Sequence, residues 1–381
     1  MNTLDLLDRL IAFPTVSCNS NRALIDFVRQ FLADRGIACE LYEAEEDRKA
    51  NLFATIGPAD RPGIMLSGHT DVVPVEGQAW TKDPFNMTVN EGRAYGRGTT
   101  DMKGFLASAL ALADRAAGQA LTTPIHLAFS HDEEIGCVGV RSMIAGLADR
   151  PLRPRCAIIG EPTSLRIATG HKGKIGARAT CCGLEAHSAL APKALNAIHL
   201  ACDFIGALRD RQTLIATEGL RDDDYDVPYT TLHVGRIDGG TALNIVPNRC
   251  TVDFEIRNIA EDDASAILDR LMDDAARIAE ARRSAFPKAD IRIDVFNTYP
   301  GLATPKDSEV VRLVQSLVPE QDLSKVAFGT EGGLFSEHLG VPVVVCGPGS
   351  MDQGHKPDEF VSLAQIDACD RMMDRLLESC V

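Results

Sequence analysis

Five short segments carry the residue types that could do chemistry. In SGHTDVVP (67–74), His69 and Asp71 follow the apolar run IML and stand two residues apart. In an extended segment they lie on one side of the chain. Asp71 is then placed to accept the second ring N–H of His69 and fix its tautomer, as carboxylates do behind metal-bound imidazoles; a hydrogen-bonded loop histidine is the plainer alternative. In GRGTTDMKG (96–104), glycines surround Asp101 at the start of a helical stretch. Glycine permits close backbone approach, and a simple helix N-cap is the alternative role for Asp101. A phosphate loop is a third possibility, but the GK[ST] ending is missing. In SHDEEIG (130–136), three acids follow the apolar run IHLAF. Acids crowded there repel one another unless a cation or proton intervenes, or unless the loop is solvated. Glu161 of GEPT directly follows CAIIG, and GPGSMDQGHKPDE (347–359) presents His355 on a Gly/Pro loop after VPVVVC.

Four of these five signals put a carboxylate or an imidazole at or just after an apolar strand. Open α/β sheets bind ligands at the carboxyl ends of their strands. His69, Asp101, Glu134, Glu161 and His355 together offer two imidazoles and three carboxylates, about what two borderline metal ions sharing one carboxylate require.

The elements that must position these residues alternate. Helical patterns at 3–12 and 21–35, extended runs near 38–43, 51–56 and 64–68, a helix from Asp101 to about Ala117 and strands at 125–130 and 156–160 predict an α/β sheet flanked by helices. Between 174 and 297 the order becomes strand 174–182, helix 192–210, strands 230–237 and 250–257, helix 262–284 and strand 290–297. That is βαββαβ, a ferredoxin-like unit complete in itself. Helices at 307–318, 331–338 and 363–379 and a strand at 342–346 resume the first pattern. The expected organisation is a discontinuous catalytic domain, 1–173 and 298–381, with 174–297 inserted.

Composition narrows the partners. The 381 residues exceed what one core usually fills, and 45% hydrophobic with 24% charged residues is globular composition. A net charge of −15 makes nucleic acid and anionic membranes poor partners. No stretch has the roughly 20 apolar residues of a membrane span. The opening MNTLDLLDRL has acids where a secretory signal carries bases. The eleven cysteines are scattered without CxxC spacing. A cytoplasmic location is expected.

In this order and spacing, HTDVVP, GRGTTDMKG, DEE, GEPT and GPGSxxQxHxPDE resemble the dinuclear-zinc family that contains acetylornithine deacetylase, succinyl-diaminopimelate desuccinylase, aminoacylase and carboxypeptidase G. The resemblance runs from about residue 5 to the C-terminus. It implies a zinc-binding α/β domain with an inserted ferredoxin-like dimerisation lid, two Zn2+ per chain (or Co2+), a small N-acylated amino acid as substrate and a homodimer formed through the lid. By position, Asp101 would bridge the ions, His69 and Glu161 would complete one site, and Glu134 and His355 the other. Asp71 would orient His69, and Glu133 would be the general base. His187 of EAHSALAPKALNAI matches the lid histidine that, from the partner subunit, stabilises the tetrahedral oxyanion. Asn244 and Arg257 match positions that hold substrate polar groups and carboxylate, with a structural ion pair as the alternative for Arg257. Lys172 of GHKGK and Thr330 of the GTEGG loop (329–333) stand on the substrate side. Glu185, close before His187, departs from the small or neutral residues usual there. The late motifs GPGSMDQGHKPDEFV and GTEGGLFSE are closest to the acetylornithine branch. That implies release of acetate and ornithine from N2-acetyl-L-ornithine, a step of arginine biosynthesis. Desuccinylase, aminoacylase or dipeptidase activity stands as the alternative, and a non-catalytic metal-containing binding protein as another; the presence of Glu133 speaks against the last.

Overall fold

The computed structural model describes residues 1–44, 48–319 and 322–381. It divides into two compact units, one of Met1–Gly170, Leu302–Lys325 and Thr330–Val381, the other of His171–Gly301 and Val326–Gly329.

The larger unit is built on a nine-stranded mixed sheet. Its path runs Cys39–Ala44, Lys49–Ile56, Ile125–Ser130, Ile64–His69, Cys156–Pro162, Val343–Gly347, Ile167–His171 and Leu302–Ala303, with Leu323–Val326 beside Ile167–His171. The four strands in the middle, from Ile125–Ser130 to Val343–Gly347, run parallel. All four are buried along their whole length. This is why they read as unbroken apolar runs rather than as alternation. Being parallel, they deliver Ser130, His69, Glu161 and Gly347 to the same edge of the sheet.

The helix Lys103–Ala116 is buried on nearly every side, packed against Thr3–Ile11, Leu363–Cys380 and the strands Ile64–His69 and Cys156–Pro162. Gly160 permits that approach: a Cβ there would lie 2.0 Å from the Phe105 ring. Gly160→Ala is therefore expected to destabilise the larger unit by about 1–3 kcal/mol through overpacking, read as a lower urea midpoint; an unshifted midpoint would show that the ring can yield.

The smaller unit is a four-stranded antiparallel sheet in the order Thr231–Gly239, Arg249–Arg257, Lys174–Cys182, Asp290–Tyr299. Alternate residues of Arg249–Arg257 are buried, the period-two pattern of a sheet with one wet face. Cys250, Val252, Phe254 and Ile256 join Ala177, Ala179 and Cys181 under Phe204, Leu208 and Leu271 of the helices Ala197–Glu218 and Ala264–Arg283.

Several elements differ from expectation. The helix expected at 192–210 begins at Ala197, capped by the Asn196 side chain, after a separate 3-10 turn Ser188–Lys193 that contains Pro192. It then runs on to Glu218, with Gly219 after it. Asp101 is not a helix cap: Met102 holds that position, without a side-chain cap bond. The sequence reading missed the helix Val140–Ala148, the strands Ile167–His171, Leu302–Ala303 and Leu323–Val326, and a small sheet of Thr88–Asn90, Arg93–Tyr95 and Phe360–Ser362. Among the described residues no helix is long and apolar enough to cross a membrane.

Candidate metal centre

The parallel strand ends assemble one cluster. His69 ends its strand with its ring buried, and its Nδ1 lies 2.9 Å from the Asp71 backbone carbonyl. Asp71 stands behind His69 as the spacing predicts, but the closer acceptor is its carbonyl; its carboxylate lies 3.5 Å away. That carboxylate instead accepts the Ser17 hydroxyl at 2.7 Å and the N–H groups of Glu133 and Glu134 at 3.1 and 3.3 Å. It thus fixes the turn that carries two other site residues. Of the three consecutive acids, Asp132 turns away into a buried pair with Lys49 and a contact with His131. Glu133 and Glu134 remain with the cluster.

Asp101 stands in the middle. One carboxylate oxygen is 3.1 Å from His69 Nε2 and the other is 3.0 Å from His355 Nε2. Glu161 lies 3.6 Å from His69 Nε2, and Glu134 lies 3.1 Å from His355 Nε2. By these distances the imidazoles pair with glutamates on either side of Asp101, His69 with Glu161 and His355 with Glu134, while donor atoms of His69, Asp101 and Glu134 also lie within 4.8 Å of one another. Donor atoms of Glu133 also lie within 4.8 Å of those of His69 and Glu161. Glu133 accepts the Cys137 thiol at 3.3 Å.

The cluster has more buried negative charge than its two imidazoles can balance. Burial pushes Glu133 up to about 8 and Glu134 to about 7, and lifts Glu161 well above the ordinary carboxylate range, with neighbouring carboxylates adding to each. Burial acts to raise Asp101 too, but hydrogen bonds from His355 and His69 hold it below its usual value. Contacts with Asp101 and then Glu134 raise His355 to about 10. Burial lowers His69, and the charge of Glu161 with the bonds to Asp101 and Asp71 more than reverses it. Glu134 Oε1 is buried without a hydrogen-bond partner. With the His69 Nδ1–H donated to a carbonyl, the Nε2 lone pair faces anionic oxygens, which is unfavourable unless a cation or proton intervenes. The residues present fit divalent cations: imidazole and carboxylate donors, one orphaned oxygen and a shared carboxylate.

The other predicted residues are placed as follows. His187 is exposed at the start of Ser188–Lys193, and the Ala189 N–H donates to its Nδ1 at 3.2 Å. The ring proton is then on Nε2, leaving that nitrogen as a donor. Asn244 is exposed, and its carbonyl accepts the Ser188 N–H. Arg257 donates to the Tyr299 hydroxyl at 2.8 Å and pairs with Glu255 at 3.1 Å, so the ion-pair alternative is present. Lys172 is buried and donates to the Tyr229 carbonyl at 2.7 Å. Thr330 is buried, and its hydroxyl accepts the Gly332 N–H. Glu185 accepts Asn248 at 2.9 Å. His187, Asn244, Arg257 and Lys172 all belong to the smaller unit.

Two buried acids escaped the sequence reading although they lie in segments it singled out. Glu331, beside Thr330, is pushed up to about 7 by burial, against the hydroxyls of Ser130 and Ser67. Glu359, last in GPGSMDQGHKPDE, is buried against the backbone of 98–101.

Residues 65–379 match Peptidase family M20/M25/M40. The chain belongs to this family. Among M20-related proteins, acetylornithine deacetylase of Pasteurella multocida (strain Pm70) is 34% identical over 387 residues, covering 98% of this chain and 97% of that protein. Acetylornithine deacetylase of Proteus mirabilis (strain HI4320) is 34% identical over 384 residues, covering 99% and 96%. Among solved structures, the M20 metallo-carboxypeptidase Sso-CP2 of Sulfolobus solfataricus superposes with a TM-score of 0.78 at 19% identity, covering 99% of each chain. A Bacillus subtilis dinuclear metal-binding peptidase of the M20 family gives 0.69 at 15% identity, covering 99% and 97%. These two likenesses establish the fold. As an M20 member the chain is a metal-dependent amide hydrolase.

Proposed function

We propose that this M20 hydrolase deacetylates N2-acetyl-L-ornithine with two divalent ions, zinc or cobalt, held on either side of Asp101. The observation that carries the two-ion reading is the Asp101 carboxylate, whose two oxygens face two imidazoles, each backed by its own glutamate. The substrate is supported by the deacetylase relatives and by the late motifs GTEGGLFSE and GPGSMDQGHKPDEFV.

A bound divalent ion supplies a polarised scissile carbonyl and a water acidified to a pKa of roughly 7. The chain's own residues supply the rest. Glu133, oriented by the Cys137 thiol and by the Asp71 bond to its N–H, takes the proton from the attacking water and returns it to the leaving amine. His187 donates its Nε2–H to the developing oxyanion. Arg257, braced by Tyr299 and Glu255, binds the α-carboxylate in bidentate fashion, and Asn244 holds a further polar group.

His187 acts from the partner subunit of a homodimer, joined through the smaller unit. Its sheet ends in the edge strands Thr231–Gly239 and Asp290–Tyr299, Leu243 is fully exposed and Phe296 is 62% exposed. Open edges and bared apolar side chains both favour association. Eleven cysteines, all free, suit a reducing, cytoplasmic setting, and the proposed substrate places the reaction in amino-acid biosynthesis.

The test is a substrate panel on purified, metal-loaded protein whose metal content is known from elemental analysis. Two zinc or cobalt ions per chain are expected, with kcat/KM for N2-acetyl-L-ornithine at least tenfold above that for N-succinyl-diaminopimelate, other N-acetyl amino acids and dipeptides. A dipeptide or succinyl substrate in first place would overturn the substrate, and only trace metal would overturn the two-ion reading.

A further inference from the structure

We propose that Glu359 and Arg97 form a buried strap that positions His355, so that they set the affinity of the Asp101–Glu134–His355 cation position relative to the His69 position. The inference rests on the two-ion reading above and concerns residues that touch no ion.

The two positions are held in different ways. His69 and Glu161 are fixed by neighbouring parallel strands, and their side chains are 1% and 5% exposed. His355 sits on a loop beyond the strand Val343–Gly347, with its backbone in the left-handed region (φ 62°) and its side chain 45% exposed. Packing does little to hold that imidazole, so something else must bring it to Asp101.

Glu359 does this through four donors. One oxygen accepts the N–H groups of Gly98, Thr100 and Asp101 at 3.0, 2.9 and 3.1 Å. The other accepts Arg97 at 2.6 Å. Both side chains are buried, at 1% and 0% exposure. The backbone adds two links: Gly96 N–H donates to the Glu359 carbonyl, and the Thr100 hydroxyl donates to the Phe360 carbonyl. Arg97 then extends the chain of bonds. It donates to the Gln78 side-chain carbonyl at 2.5 Å and to the Lys356 carbonyl at 3.4 Å. Gln78 in turn donates to the carbonyl of His355 at 3.0 Å. The circuit therefore begins at the N–H of the shared ligand Asp101 and closes on the backbone of His355. Among the described residues, no bond of this circuit reaches His69 or Glu161 except through Asp101. Residues that orient metal ligands from behind typically change metal affinity by about 10–100-fold.

Co2+ binding to metal-free full-length protein, followed by calorimetry and by the cobalt absorption bands, reads the two positions separately. In Glu359→Gln, the first Co2+ is expected within threefold of wild type and the second at least tenfold weaker. The substitution also leaves Arg97 buried without its counter-charge. Should that variant not fold, Gln78→Ala decides: it removes the link from Arg97 through Gln78 to the His355 carbonyl, together with the bond from the Trp80 indole N–H, and keeps the buried Arg97–Glu359 pair; the second Co2+ alone is expected to weaken, by at least threefold. A variant in which both ions weaken equally, or neither weakens, overturns the inference. Fewer than two ions in the wild type would overturn the two-ion reading and this inference with it. Two ions in the wild type with unchanged ratios in the variants would overturn this inference alone.

Discussion

Glu133→Gln is expected to lower turnover by at least about 100-fold while metal content stays at the wild-type value. The substitution keeps the shape of the side chain and removes its ability to accept a proton. Positioned acid–base groups contribute about 10²–10⁴-fold, so the low end already sets a large effect. The environment of the residue suits a base. Burial pushes its carboxyl up to about 8 in the cluster without ions, a cation nearby lowers it again, and a base serves best when its pKa lies near the working pH. The metal measurement is what makes the test sharp, because donor atoms of Glu133 lie within 4.8 Å of those of His69 and Glu161. A loss of one ion together with activity would make Glu133 a ligand. Near-wild-type turnover would move the base elsewhere, with Glu134 the first candidate.

His187→Ala is expected to cost about 10²–10³-fold in turnover, the range for removing one oxyanion donor, without loss of metal or stability. The side chain is exposed and its one bond, from the Ala189 N–H, is local, so nothing in the core depends on it. Subunit exchange tests the dimer at the same time. Mixing His187→Ala with Glu133→Gln, both inactive, produces mixed dimers. In these the chain with an intact Glu133 receives an intact His187 from its neighbour. Activity approaching one working site per mixed dimer is expected. If exchange is demonstrated and no activity returns, His187 acts within its own chain or not in catalysis.

The apolar runs before His69, Ser130, Glu161 and the late glycine loop were legible because strands buried on both faces read as short unbroken apolar stretches. The meaning of Asp101 was not. A cap and a carboxylate set between two imidazoles look alike in GRGTTDMKG, and the two imidazoles beside Asp101 are delivered by distant segments. The backbone carbonyl of Asp71 as the partner of His69 was equally hidden, since the spacing places a residue and not the atom that faces the ring. Glu331 and Glu359 lay inside segments already singled out, but their roles follow from burial, which short motifs do not encode. The missed helix Val140–Ala148 and the small three-stranded sheet are short elements in which hydrophobic periodicity has too few turns to register.

The strand Val343–Gly347 lies between Cys156–Pro162 and Ile167–His171 in the sheet, and this fixes an order of events during synthesis. Chain growth at about 5–20 residues per second adds the roughly 180 residues between the Cys156–Pro162 and Val343–Gly347 strands in about 9–36 s. Throughout that interval the nascent chain already holds His69, Asp101, Glu133, Glu134 and Glu161 but lacks the central strand and both His355 and Glu359. The smaller unit, drawn almost wholly from the contiguous span His171–Gly301, can close its own sheet while the ribosome is still working. The acidic cluster stays incomplete until His355 and Glu359 are added, so under the two-ion reading proposed above a full metal complement is tied to the last stage of translation rather than to the first appearance of its acids.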